Sequence, residues 1–431
     1  MRMSRTFSLS LAFFSAALLV SAKDAKVHSF KKLQLTDQFW SEGANIGDFN
    51  HDGKMDVVSG PYWYEAPDFK KKHEYYPATE SFKKKNADGT ETTIPGFEGG
   101  LGTNNTYSKN FIAFSSDFNH DGWADILILG FPGEQSWWFE NPRHKEGHWL
   151  RHVALDVTDN ESPTFLDVTG DRKPEIICSS GGYMGYAEPD AKNPTNKFKF
   201  HRISENKNYH RFTHGLGVGD VNNDGRNDIL ERDGWYEQPL SLGNDPVWKF
   251  HPAPFAPAPS MGSSQMYVYD VNADGYPDVI TALAAHGYGL AWFEQKKEKN
   301  PAGEVQFEKH IILNPDATAN KDGITFSQLH AVDLVDIDGD GLKDIVTGKR
   351  FWAHGNHGDA DPNGPAVLYW FQLVRNKDKS VDFVPHLIDD NSGIGTQVVA
   401  ADINGDKLPD IIVGNKKGTF VHIHEVTKEK Q

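Results

Sequence analysis

The sequence predicts an all-β chain folded as a seven-bladed β-propeller, and three observations predict it. An Asp-rich loop recurs seven times along the 431 residues. Each copy is followed by the same succession of short apolar and aromatic stretches. Glycine is abundant, at 40 residues, and runs with helical period are scarce, which argues for strands joined by turns.

The clearest copy of the loop is Asp336, Asp338, Asp340, Gly341 and Asp344, followed at once by Ile345 and Val346. Carboxylates at positions 1, 3, 5 and 9 around a tight glycine turn can converge oxygens on one hard cation. Four more copies keep the whole pattern: Asp48, Asn50, Asp52, Gly53, Asp56; Asp117, Asn119, Asp121, Gly122, Asp125; Asp220, Asn222, Asp224, Gly225, Asp228; and Asp270, Asn272, Asp274, Gly275, Asp278. These five are expected to hold structural calcium. The third copy (Asp167, Thr169, Asp171, Glu175) has Arg172 in place of glycine, and the seventh (Asp402, Asn404, Asp406, Asp410) has Lys407 there. Both are expected to be empty or held by hydrogen bonds alone. The copies start 69, 50, 53, 50, 66 and 66 residues apart, the length of one supersecondary unit.

Within each unit an apolar strand follows the loop, such as Ile126 to Leu129 or Ile411 to Val413. A Trp-aromatic-Glu strand comes next, as at Trp63 to Glu65 and Trp292 to Glu294. The third is an aromatic-x-x-His strand, as at Trp149 and His152 or Phe383 and His386. A fourth precedes the next loop, as at Gln265 to Tyr269. Four short strands per unit, seven times, make a propeller. The last unit lacks its aromatic-x-x-His strand, and Phe30 to Leu35 at the other end of the chain reads as the missing piece. An N-terminal strand is therefore expected to complete the last blade and close the ring, leaving no long free edge.

Net charge is −16, which argues against nucleic acid as a partner. Residues 1–22 read as an export signal: Arg2 and Arg5, an apolar run from Phe7 to Val20, and a small-residue cleavage site near Ala22. The expectation is a periplasmic or extracellular protein, with residues 23–431 a single propeller domain and no membrane span in the mature chain. The lone Cys178 lies in an apolar strand and reads as a buried small residue.

The loops resemble FG-GAP or VCBS repeats, which form seven-bladed propellers, and the likeness covers about residues 28 to 425. It implies a fold and leaves function open. Strands in a blade alternate in direction, so the Asp loops decorate one face. Stretches just before the first strand and just after the second build the opposite face. Of the 19 histidines, His73, His152, His201, His251, His310 and His386 recur blade by blade and read as structural. His210, His214, His286, His330, His354 and His357 fall on the face away from the Asp loops, with Lys349, Arg350, Arg232, Asp233, Arg211, Gln265, Gln328, Gln397, Glu42 and Tyr288. They break the repeat, which marks a site for a carbohydrate or other small polar ligand.

The densest stretch runs from Gly348 to Pro362, a long connection where other units spend few residues. Its His354 and His357 with Asp359, joined by His286 or His330, are candidate ligands for a divalent transition metal such as zinc. A second long insertion, Ala78 to Lys109, enters the same face as a lid or a flexible segment. The chain, especially the Lys349 to Pro365 loop, also resembles the propeller of aldos-2-ulose dehydratase, a family that removes water from keto-sugars with the help of metal ions. That family carries cupin domains after its propeller, and this sequence shows none. The resemblance implies metal-assisted β-elimination. His330 or His214 is then the base, with His210 beside them, and Lys349 or Arg350 steadies the oxyanion. His354 and His357 serve as ligands or acid, and Trp352 and Tyr288 stack on a sugar. The alternative is a non-catalytic, calcium-stabilised propeller that binds carbohydrate or protein. A polysaccharide lyase on the same fold is a third reading.

Overall fold

A computed structural model describes residues 26–78, 81–95, 107–256 and 262–428. The export signal read at residues 1–22 lies outside the described residues. So do residues 79–80 and 96–106 of the Ala78 to Lys109 insertion, whose described part contains a hairpin of Ser81–Lys85 with Glu91–Pro95. The described residues form 29 strands and no helix, so no helix there is long and apolar enough to cross a membrane.

The strands assemble into repeated antiparallel units, an arrangement consistent with a propeller. Three units are separate four-stranded sheets. A seven-stranded sheet holds two units that share the long strand Leu150–Leu166. An eight-stranded sheet joins two more through a parallel pairing of their first strands, Leu216 beside Gln265. First strands of neighbouring units touch elsewhere as well, for example Asn45–Gly47 against Ile112–Ser116 and Val332–Val335 against Val398–Ala401. Between the last unit and the first, the Thr396 amide donates to the Glu42 carbonyl at 2.7 Å. The N-terminal strand Lys26–Thr36 pairs antiparallel with Gly418–Lys428, placing Leu33 opposite Val421. The chain's two ends thus share one sheet, as Phe30 to Leu35 led us to expect.

Each Asp loop is held by its own carboxylates. The first Asp accepts the backbone N–H groups of positions 5 and 6, as at Asp270 with Asp274 (3.1 Å) and Gly275 (3.0 Å). The worn loops keep the bond from position 6. Arg172 and Lys407 adopt φ of 70° and 71°, the left-handed conformation that glycine takes at this position elsewhere, and donate to Asp167 and Asp402.

The ninth position behaves differently from the other three. Asp56, Asp125, Asp228, Asp278, Asp344 and Asp410 are buried, and each accepts two backbone N–H groups. One donor lies at the loop's second residue and the other just beyond the Trp-aromatic-Glu strand. The carboxylate clamps the loop to the Trp-aromatic-Glu strand. Burial pushes Asp125, Asp228, Asp278 and Asp344 up to about 7.

The recurring histidines are structural. His73, His152, His251, His310 and His386 stack on Trp63, Trp138, Trp235, Trp292 and Trp370, with His201 on Tyr186, at centroid distances of 3.8 to 4.8 Å. Their Nε2 atoms meet the Glu that ends the aromatic strand, as in His310 with Glu294 at 2.8 Å, or Gln372 in the case of His386 at 3.3 Å. In the last unit Val421 and Leu33 occupy the corresponding pair.

Asp278→Ala strands the buried amides of Val271 and Gln295, at about 1–3 kcal/mol each. Equilibrium denaturation should show a loss of about 2–6 kcal/mol. Asp274→Ala, in the exposed turn of the same loop, should cost far less in calcium-free buffer.

Candidate functional site

The site forms where the strands end away from the Asp loops. Each Asp loop joins the end of a first strand to the start of a second. Residues just before the first strand or just after the second therefore gather at the other end of the hairpin. His214 precedes Leu216–Gly219, and His330 precedes Val332–Val335. His286 follows Asp278–Ala282, and Arg350 follows Asp344–Gly348. Glu161 interrupts the strand Leu150–Leu166. The register breaks between Asp159 and Thr164, and the Glu161 amide donates to the Thr213 carbonyl at 2.7 Å. This bulge turns the carboxylate inward beside His214.

Four ligand-type atoms converge there. His214 Nε2 lies 3.1 Å from His330 Nε2, 3.0 Å from His286 Nε2 and 3.3 Å from Glu161 Oε2. His330 Nε2 is 3.1 Å from the same Glu161 oxygen. One proton on His214 Nε2 can serve only one of its three neighbours, whereas one cation serves all four groups. Tetrahedral coordination with bonds of about 2.0 Å separates ligand atoms by about 3.3 Å, close to the spacing seen. Three imidazoles with one carboxylate suit a divalent first-row transition metal. His286 Nδ1 faces Asp359 Oδ1 at 3.3 Å, the kind of contact that fixes a ligand's tautomer.

Around this group runs a chain of buried charges. Arg350, 1% exposed, donates from Nη2 to Glu42 Oε2 at 3.0 Å and places Nη1 3.6 Å from Glu161. Lys416 Nζ lies 3.7 Å from Glu42 Oε1 and donates to the Trp352 carbonyl at 2.7 Å. Burial alone would raise the Glu161 carboxyl, but His214 and His330 hold it well below the usual range. Burial, with Arg350 close by, keeps His330 neutral. Burial also lowers Lys416 and Lys349 to about 8. Asp359 is buried too, yet His286 and His354 hold its carboxyl down.

The sequence-predicted residues divide accordingly. His214, His286, His330 and Arg350 come together. Lys349 is buried beside them, its ammonium bonded to Ser327 Oγ and the Asp361 carbonyl. His354 stands one step out: its Nδ1 bonds Asp359 at 2.9 Å and its ring lies 4.6 Å from that of His286. His357 and His210 are exposed and stand apart from the cluster, and Tyr288 is half-buried toward Asp361. Gln265, Gln328 and Gln397 brace backbone groups across the structure.

Sequence reasoning missed Glu161 and Lys416, and a signal for both existed. Glu42, Glu161, His214 and His330 each stand six residues before an Asp loop begins, at Asp48, Asp167, Asp220 and Asp336. Arg350 and Lys416 each stand six residues after the buried carboxylate, Asp344 and Asp410. Counting register unit by unit finds them.

Residues 336–413 match the family model of an FG-GAP-like repeat. No curated protein matches the sequence. Among solved structures the chain is similar to the exotype rhamnogalacturonan lyase YesX, at 13% identity over 92% of this chain and 72% of that one, with a TM-score of 0.42. It is also similar to the rhamnogalacturonan lyase YesW (12%, 94% and 73%, TM-score 0.38) and to the V. cholerae biofilm matrix protein Bap1 (12%, 96% and 83%, TM-score 0.33). A likeness this distant says nothing about what the chain acts on.

Arg350→Leu leaves Glu42 and Glu161 buried without their shared cation. Denaturant unfolding should show a loss of about 3–5 kcal/mol, and adding Glu42→Gln should recover part of it.

Proposed function

We propose that the seven units close into a ring, a seven-bladed propeller, whose hub holds a divalent transition metal on Glu161, His214, His286 and His330 and eliminates water or an alcohol from a carbonyl-bearing sugar. The observation that carries this reading is the convergence of three imidazole nitrogens and one carboxylate oxygen from four different units. The resemblance of the Lys349 to Pro365 loop to the aldos-2-ulose dehydratase propeller supports the reaction class. The leader at residues 1–22 supports export, and the five complete Asp loops support structural calcium.

In the elimination a base removes the proton α to the carbonyl, the electron pair forms a C=C bond, and the β C–O bond breaks. The departing oxygen takes up a proton and leaves as water or alcohol. When bound, the ion supplies positive charge to the carbonyl oxygen. His330 and His214 aim Nε2 at each other and at Glu161, so they suit ligation better than proton abstraction. His354 suits the base. It is exposed, and Asp359 holds its Nδ1, which leaves Nε2 as the acceptor. Arg350 and Lys416 add fixed positive charge where an enolate develops.

Elemental analysis after calcium is stripped should find a transition metal in stoichiometric amount in the wild type and none in His330→Ala. The wild type should form an unsaturated product from a keto-sugar, and His330→Ala should form none. A metal-free wild type, or unchanged turnover in the variant, rejects the assignment. Excess calcium chelator should separately lower the melting temperature, and a constant value would show that the loops fold without ions.

A further inference from the structure

We propose that the molecule taken by this centre is a sugar acid, anchored by its carboxylate on the unpartnered guanidinium nitrogens of Arg350 beside the four-residue cluster. The inference rests on the metal reading above and adds the class of ligand.

Charge is the starting point. The groups linked by ion-pair contact to the four ligands are the carboxylates of Glu161, Glu42 and Asp359 and the cations of Arg350 and Lys416. Three negative against two positive leaves −1, with the imidazoles neutral. Lys349 faces both Asp361 and Asp359, and counting it together with Asp361 adds one charge of each sign and leaves the sum at −1. A divalent ion turns −1 into +1. Net charge in a buried, water-poor hub is costly unless it is matched. One carboxylate brings the sum to zero, whereas a phosphate dianion overshoots to −1 and a neutral sugar leaves the positive charge in place.

Hydrogen bonding points the same way. Arg350 uses only Nη2, toward Glu42, and its Nε and Nη1 find no hydrogen-bond acceptor among the described residues. Unsatisfied buried guanidinium nitrogens are rare and call for a partner, and a planar carboxylate is the acceptor their geometry matches. Trp352 Nε1 also lacks an acceptor, and the Trp352 carbonyl already receives Lys416 Nζ. An indole N–H on the same loop is a donor for a sugar hydroxyl. Neighbouring groups of the repeat do not need such help: Thr396 Oγ1 donates to the Phe111 carbonyl at 2.6 Å, and Gln397 bonds Ala113.

The test uses the full-length protein loaded with cobalt(II), whose visible spectrum reports the ligand set. It is titrated at one pH with galacturonate and glucuronate, with galactose and glucose as their neutral counterparts, with a neutral keto-sugar, and with inorganic phosphate. The acids should shift the spectrum and bind at least about tenfold more tightly than their neutral counterparts. Arg350→Gln should remove that preference while cobalt still binds. Should that variant fail to fold, Lys416→Met should weaken acid binding in the same direction. Tighter binding of the neutral keto-sugar or of phosphate, or a cobalt spectrum indifferent to all of them, overturns the sugar-acid proposal and leaves the metal centre standing. A protein that takes up no cobalt overturns both.

Discussion

A buried carboxylate at the base of each Asp loop is the constraint on which the rest of the structure depends. In six of the loops it is satisfied by two backbone amides, one from its own loop and one from just beyond the Trp-aromatic-Glu strand, and in the remaining loop Glu175 takes the Val168 amide and the Thr169 hydroxyl. Buried acceptors of this kind are costly to leave unpaired, so the clamp fixes the hairpin in one register. The same hairpin carries hub residues at its opposite end. Fixing one end therefore aims the other, and side chains from different units meet within hydrogen-bond distance. A site mounted on strand ends inherits the precision of the sheet.

The outer edge is tied by a second repeated device, the aromatic–His–Glu stack. Its histidines are structural: each stacks on a ring and meets the Glu, or Gln372 for His386, that closes the neighbouring strand. The last unit abandons it. Leu33 and Val421 pair there, and Phe30 stacks on His424 at 4.6 Å, so a strand from the other end of the chain is held by apolar contact. Lys32 adds an ion pair to Asp389 at 2.9 Å.

Features that recur were legible in the sequence. The seven loops, the strands after them, the structural histidines and the terminal strand all followed from period and pattern. The hub was legible in part. His214, His286, His330 and Arg350 stood out because they break the repeat. Glu161 did not, because an acid inside a polar stretch of strand looks like a solvated edge until the bulge at Asn160 to Pro163 is seen. Lys416 followed an apolar strand and looked like any exposed lysine, yet it is buried against Glu42. His357 and His210 drew attention because they too break the repeat on the face away from the Asp loops, but the residues that come together, at 161, 214, 286 and 330, share no local spacing. Glu161, His214 and His330 share one register, six residues ahead of the loop, which counting from the loops exposes, while His286 comes from a second-strand end.

That register also argues that the cluster is more than a polar filler. The seven positions six residues ahead of the loops are Glu42, Phe111, Glu161, His214, Ser264, His330 and Thr396. All are buried. Phe111 fills its place with a ring, and Thr396 spends its hydroxyl on the Phe111 carbonyl, so this fold has inexpensive ways to close its centre. Glu161, His214 and His330 take a different course. They bring like-for-like nitrogen acceptors within 3.1 Å of one another, borrow His286 from a second-strand end, and leave Nδ1 of His214 and His330 without acceptors among the described residues. Packing alone does not select that arrangement, because removing the imidazoles would relieve it. The cation proposed for the four groups would account for it, since it would turn mutually crowding lone pairs into a single coordination shell.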